Sequence, residues 1–237
     1  MKYLKILPAL FVVIIILFSI SCQNCIEGKG GIVRQKRDLK AFSKIEVNIP
    51  ADVVIGEATK PVMQIHAQPN VLKAITTEVN GDELIIDASP CLKNIEPVSI
   101  RIMTPALTGI TFNGSGSLKT DDIFTCDRME IEMNGSGRIY ADVFTNKVDV
   151  IIKGSGMVAI NGTTNDQSVE IMGSGIYKGF GLKSYRTEVD LKGSGTAEVI
   201  ALNKLNVNIT GSGEVVYSGN PDLKTKIKGS GKVSKME

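Results

Sequence analysis

The triplet Gly-Ser-Gly recurs seven times in this chain, with its serines at Ser115, Ser136, Ser155, Ser174, Ser194, Ser212 and Ser230. Successive serines lie 21, 19, 19, 20, 18 and 18 residues apart. A near-constant period of this size means stacked copies of one supersecondary unit, and it constrains the fold before any single motif does.

Alignment of the copies on the serine shows what each unit contains. Three residues before it stand Phe112, Met133, Ile152, Ile171, Leu191, Ile209 and Ile227, and five before it Ile110, Ile131, Val150, Val169, Val189, Val207 and Thr225. The places two, four and six before are mostly polar, among them Glu130, Glu132, Asn134, Asp149, Lys153, Glu170, Glu188, Asp190 and Lys192. Strict alternation with β-branched enrichment predicts a strand with one buried face. Leu118, Ile139, Val158, Tyr177, Ala197, Val215 and Val233, three after the serine, predict a second inward position. Ile123, Phe144, Leu182 and Leu202, eight after it, predict a third.

Each copy therefore reads as strand, corner, short strand, turn and return, which is one coil of a β-solenoid. At roughly 4.8 Å per coil, seven stacked corners make a rod roughly 30 Å long. Glycine on both sides of the serine permits positive φ at a tight bend, and stacked serines are placed to pass a hydroxyl hydrogen bond from coil to coil. The competing layout makes each triplet the tip of a hairpin in an antiparallel barrel, and Asn113-Gly114 and Asn134-Gly135 suit it. Lys or Met before the glycine in other copies does not, and the solenoid is the reading adopted.

Residues 39–106 are strand-rich but less regular, with runs at 45–47, 53–55, 62–67, 75–79, 84–86 and 98–103. Asn80-Gly81-Asp82 is a hairpin-type turn, and Asn70 is placed to cap a short helical turn over 70–74. These strands are expected to continue the apolar column and to cover one end of it.

The chain begins with a secretory pattern over residues 1–21: Lys2 and Lys5, an uncharged stretch of 16 residues from Ile6 to Ser21, then Cys22. The stretch is short of the roughly 20 residues that span a bilayer as a helix. Cys22 resembles a bacterial lipoprotein processing site, with Ser19 where such sites usually carry Leu; the alternatives are an uncleaved anchor and ordinary secretion. Diacylglycerol plus an added acyl chain suffices for stable membrane anchoring. Residues 22–38 read as a polar tether, with 107–237 as the repeat body. Of 27 basic and 25 acidic residues, the two surplus charges lie in the leader, so the remainder is formally neutral and offers no electrostatic basis for binding nucleic acid. With Cys22 lipidated, Cys25, Cys91 and Cys126 remain. A Cys25–Cys91 disulfide would pin the tether, and three small buried side chains are the alternative.

With the repeats laid out, the chain resembles the putative auto-transporter adhesin family with the head GIN domain, bacterial envelope proteins without an assigned activity. The likeness is carried by Phe42, Ile45 and Val47, the run from Asn70-Val71-Leu72 to Val79, Gly81, Leu84 and Ile86, and Pro105-Ala106-Leu107. The serial corners and Tyr217-Ser218-Gly219-Asn220-Pro221 continue it, so it covers about residues 38–235. The resemblance implies a right-handed, single-stranded β-helix of about seven coils behind a strand-rich cap, an envelope location, and no catalytic residue to carry over.

Little in the sequence supports catalysis. Gly173-Ser174-Gly175-Ile176-Tyr177-Lys178-Gly179 has the glycines of a dinucleotide loop but lies between strands and opens no helix. Gly229-Ser230-Gly231-Lys232 lacks phosphate-loop spacing, and Gly-Ser-Gly is not a nucleophile elbow. His66, the only histidine, sits out of phase in an alternating strand. Four sequons, at Asn113, Asn134, Asn161 and Asn208, follow from the repeat. Acids deserve more weight, because β-helical glycosidases and lyases place carboxylates on a strand face. Glu130, Asp149 and Glu188 share the position six before the serine, and Glu132, Glu170 and Asp190 the position four before, so stacking sets them a coil or two apart, within reach of a shared Ca²⁺. Interleaved Lys147, Lys153 and Lys192, and then Lys224, Lys226 and Lys228, favour a mixed solvated face. Of the aromatics, Tyr140, Tyr185 and Tyr217 are candidates for sugar contact and form no row.

The expected protein is a non-catalytic, lipid-anchored envelope lipoprotein, outer-membrane and either periplasmic or surface-exposed. Its β-helical body is adhesive or structural, has no cofactor or metal, and takes a surface glycan or protein as partner. The alternative is a carbohydrate-active or Ca²⁺-dependent glycan-binding protein using Glu132, Asp149, Glu170 and Asp190. Homo-oligomers can form at solenoid ends, where the lysines of 224–235 oppose association.

Overall fold

The computed structural model describes residues 25–236; the leader and Cys22 lie outside the described residues. The first half contains β1 (Ile26–Glu27), β2 (Val33–Asp38), β3 (Lys44–Val47), β4 (Asp52–Glu57), β5 (Val62–Ala67), α1 (Pro69–Ala74), β6 (Ile75–Asn80), β7 (Glu83–Ala88), β8 (Leu92–Lys93) and β9 (Ser99–Thr104). The repeats contribute β10 (Gly109–Phe112), β11 (Ser117–Thr120), β12 (Phe124–Gly135), β13 (Arg138–Gly154), β14 (Met157–Gly173), β15 (Ile176–Gly193), β16 (Thr196–Gly211), β17 (Glu214–Ser218), β18 (Asp222–Gly229) and β19 (Lys232–Lys235).

Every pairing between successive repeats is parallel, which excludes the hairpin layout and makes the body a β-solenoid. The positions three and five before the serine are buried from Ile110 to Ile209, as are those three after it from Leu118 to Val215. Parallel stacking with period-two alternation puts these side chains in one continuous apolar column.

The corner is held by backbone. Ser155 N–H donates to Gly135 O, Ser174 to Gly154 O and Ser194 to Gly173 O, each at 2.9 Å, and Met157 and Thr196 N–H repeat the pattern onto Gly137 O and Gly175 O at 3.0 Å. The expected hydroxyl ladder is corrected here. All seven serines are exposed, and among the described residues no hydrogen bond joins one corner hydroxyl to the next. The two glycines serve different ends. Gly173 has φ +123°, and a Cβ on it would lie 2.6 Å from Gly154 O. Gly175 passes over the core, where a Cβ would lie 2.5 Å from Ile152 Cγ2.

The third inward position is also corrected. Leu182 is buried, but Ile123 is 64%, Phe144 60% and Leu202 46% exposed, while Phe124, Val143 and Ala201 beside them point inward. Buried polar groups fill this third corner. Gln167 donates to Tyr177 Oη, the Thr187 hydroxyl lies within reach of Ser184 Oγ and Gln167 Oε1, and Ser184 Oγ donates to Ile200 O at 2.9 Å. Burial pushes the Tyr177 phenol well above its ordinary value of 10, against the opposing hydrogen bond from Gln167. The folded state then keeps a proton that the unfolded chain releases near pH 10, so this contribution to stability is complete below pH 10 and declines as pH rises further. Tyr177→Phe is expected to lower stability by about 1–2 kcal/mol at pH 8, through the lost acceptor of Gln167. It should also flatten the alkaline decline, which urea melts at pH 8 and 11 would measure.

The N-terminal region extends the column by two layers. β3 and β4 pair in parallel with β10 and β11, and β7 and β9 pair in parallel with β3 and β4 on their far side. The cap is completed by antiparallel additions of β6 to β7, β5 to β9 and β2 to β5. Gly81, with φ +63°, turns the β6–β7 hairpin. Part of the stretch read as tether is therefore folded: Arg34, Lys36 and Arg37 lie on the outermost strand, and charge is one way an edge is kept from further pairing. Cys25 and Cys91 form a disulfide beside the β1–β8 pair, and Cys126 is free. Asn70 does not cap α1; it accepts from Lys29 N–H at 2.9 Å and donates to Glu27 O at 2.7 Å, which ties the amino-terminal strap to the cap. Among the described residues no helix is long and apolar enough to cross a membrane.

Candidate binding surface

Outward positions form columns that run the length of the rod. Glu130, Asp149, Ser168 and Glu188 share one column in register, and Glu132, Ile151, Glu170 and Asp190 the next. Stacking thus brings the six predicted acids onto one face. Basic and amide groups on neighbouring coils meet them. Arg128 Nε lies 2.8 Å from Asp149 and 3.3 Å from Glu130, and Lys147 Nζ 3.0 Å from Asp149. Lys153 Nζ reaches Glu132 at 2.6 Å, Lys192 Nζ reaches Glu170 at 2.7 Å, and Asn208 donates to Asp190 at 2.9 Å. Glu188 has no ion pair among the described residues. The Lys153 hydrogen bond holds the Glu132 carboxyl below the usual range, and the Glu170 hydrogen bond and charge raise the Lys192 ammonium. No group of three or more histidines, cysteines and carboxylates able to hold a metal occurs among the described residues.

A shallow hollow of about 410 Å³ opens at the amino-terminal end of this face, lined by Lys44, Arg128, Glu130, Glu132, Asp149 and Glu170. Its floor is Gly109, which lies in register between Lys44 and Glu130. The stem of Lys44 crosses that glycine, where a Cβ would meet Lys44 Cγ at 3.0 Å, and Nζ reaches Glu130 at 3.1 Å. Hydrogen bonding and charge from Glu130 raise the Lys44 ammonium. The hollow thus presents charges already paired with one another, suited to hydrogen bonding with a polar surface rather than to proton transfer.

Lys44 escaped the repeat alignment because it lies outside the repeats. Arg128 and Arg186 carried a signal: with Lys147, Asp166 and Lys204 they stand eight before the serine, and they share one column. Arg186 makes a two-pronged ion pair with Asp166, which lowers the Asp166 carboxyl. Asn113 donates to Asn48 and Asn134 to Asn113, at 2.5 and 2.7 Å, and Asn161 donates to Asp142 at 2.7 Å, so these sequon asparagines are ladder members. Tyr140 and Tyr185 are exposed on separate strand faces, and Tyr217 is half-buried. His66 is exposed on β5.

Fold and surface together define a capped parallel β-solenoid whose outer faces are hydrogen-bonded and ion-paired columns. The chain belongs to the family described as putative auto-transporter adhesin, head GIN domain, which it matches over residues 41–221. No curated protein matches it. A putative adhesin from Bacteroides fragilis is 24% identical, with a TM-score of 0.84, over 89% of this chain and 100% of that one. A putative lipid binding protein from Parabacteroides distasonis is 24% identical, with a TM-score of 0.74, over 90% and 99%. A putative adhesin from Parabacteroides merdae is 16% identical, with a TM-score of 0.68, over 90% and 99%. At these identities the structures establish a shared fold.

Proposed function

We propose that this chain is a bacterial envelope lipoprotein, exported by residues 1–21, lipidated at Cys22, and carrying a non-catalytic adhesive or structural solenoid. The observation that carries the reading is the pairing of the acids. Glu130, Glu132, Asp149 and Glu170 are each ion-paired to a lysine or arginine, and Asp190 accepts from Asn208. A general acid needs a carboxyl whose pKa is raised, and the Glu132 carboxyl, hydrogen-bonded to Lys153, is lowered instead. The Cys25–Cys91 disulfide supports folding in an oxidising compartment. The name of the family and those of two of its structural neighbours support adhesion.

Binding in such a protein is spread over a strand face. The combined substitution Glu132→Gln, Asp149→Asn, Glu170→Gln and Asp190→Asn is expected to change whole-cell or glycan-array binding of the unlipidated body by less than about threefold, since exposed pairs contribute little each. Loss of a defined glycan affinity, of Ca²⁺ binding measured by calorimetry, or of glycan turnover would favour the carbohydrate-active alternative instead. Cys22→Ser is expected to abolish incorporation of labelled palmitate.

A further inference from the structure

We propose that the carboxyl end of the solenoid takes up an acidic, extended peptide segment as one more parallel coil. The proposal rests on the open end and does not depend on the reading of the lateral face. β18 pairs with β16, and β19 with β17; on the other side neither strand has a partner among the described residues, so a row of backbone donors and acceptors faces outward. The core is also unfinished there. Leu223 and Ile227 are 37% and 42% exposed, whereas Leu205 and Ile209, in register one coil earlier, are 0% and 1%.

Charge then says what kind of strand completes the stack. Lys224, Lys226 and Lys228 alternate with Thr225 and Ile227, and they lie in register on Asn206, Asn208 and Thr210. None of the three has an ion pair among the described residues. In the interior of the stack, cations on this face find an acid on an adjoining coil, Lys153 with Glu132 and Lys192 with Glu170 on the coil before, Arg128 with Asp149 on the coil after. The coil before these three lysines offers Asn206, Asn208 and Thr210, so only a following coil can supply acids. The absent layer is therefore one with acids at alternate positions and apolar residues between, the pattern of Glu130-Ile131-Glu132-Met133 in this chain. A second copy is a poor occupant. Carboxyl edge against carboxyl edge, lysine meets lysine. At the amino-terminal edge β2, in line with β19, sets Arg34 and Lys36 against Lys232 and Lys235, and β6, in line with β18, is an antiparallel addition that does not continue the parallel coil. Edge lysines repel basic and neutral strands, and here the same charges select an acidic one, discrimination by repulsion as well as attraction. Strand addition supplies the affinity through main-chain hydrogen bonds.

The test uses a fluorescently labelled peptide of residues 128–135, with anisotropy as the readout on the unlipidated body. Three control peptides accompany it: one with both glutamates changed to lysine, a scrambled one, and one carrying Ile131→Pro, which removes a backbone donor. The acidic peptide is expected to bind, to weaken at least fivefold between about 50 and 300 mM salt as screening shortens, and to slow amide exchange within 222–229. The variant Lys224→Glu, Lys226→Glu, Lys228→Glu, shown to be folded by its thermal melt, should lose the acidic peptide and bind the lysine one. The proposal is overturned if the acidic peptide does not bind, if the scrambled or proline peptide binds equally, or if the lysine reversal changes nothing. It is also overturned if the free end proves occupied by a second copy in sedimentation, or if the lysines bind phosphatidylglycerol vesicles without any peptide-dependent protection of 222–229.

Discussion

Gly173→Ala is expected to destabilise the solenoid by about 3 kcal/mol, while Ser174→Ala beside it changes stability by less than about 0.5 kcal/mol. The contrast follows from what each residue does at the corner. Gly173 holds φ +123°, which L-residues rarely adopt, and an added methyl would press on Gly154 O of the coil below. That carbonyl accepts the Ser174 N–H bond that continues the ladder, so neither atom can retreat without breaking it. Ser174 points its hydroxyl into solvent. Gly175→Ala tests the second glycine by another route: no positive φ is involved, but the new methyl intrudes on Ile152, and overpacking of a filled core costs about 1–3 kcal/mol. Urea melts of the three variants would rank them. Equal effects of Gly173→Ala and Ser174→Ala would mean that the hydroxyl, not the backbone, holds the corner.

The second large effect is expected in the amino-terminal cap. Replacing Cys25 and Cys91 with serine should cost about 4 kcal/mol, because the crosslink closes a loop with a sequence separation of 66 residues and so restricts the unfolded chain. The loss should also be local. In a solenoid each coil contacts its neighbours alone, so stability is close to a sum of coil and interface terms. Hydrogen exchange is expected to quicken in β1, β2 and the strap around Asn70, which the disulfide and the Lys29 and Glu27 contacts hold to α1. Protection of β13 to β16 should be unchanged. Uniform acceleration along the rod would show instead that the cap nucleates the entire stack.

Much of this arrangement is legible in the amino-acid sequence. Period-two alternation around each serine identified the inward positions from Ile110 to Ile209, because one face of every strand must be buried and a one-residue slip would expose it. The acids could be placed on shared columns for the same reason, and the register of Glu130 with Asp149 and of Glu170 with Asp190 follows it. Counting failed eight residues beyond the serine. Repeat lengths vary, and the slack is absorbed in the third corner, where the pairing shifts between Gly179 and Lys183 and between Ser184 and Arg186. The inward place is seven after the serine at Val143 and Ala201, which leaves Phe144 and Leu202 outward, and the shift between Ala159 and Asn161 moves it to eight after at Leu182.

The amino-terminal cap was less accessible to that kind of counting. β7 and β9 follow β3 and β4 in the chain but stack on their far side, away from the repeats. Lys44 meets Glu130 across Gly109, a pairing of residues remote in sequence.

The amino-acid sequence alone determined the repeating unit, its buried face and its neutral, alternating exterior, since each depends on residues a few places apart whose periodicity reflects backbone geometry. Tertiary structure alone decided the order of the capping layers, the partner of each charge and, among the described residues, the unpaired edges of β18 and β19. Those depend on which coils come to lie together, and the free energy of that choice is spread over contacts between distant segments that no local pattern records.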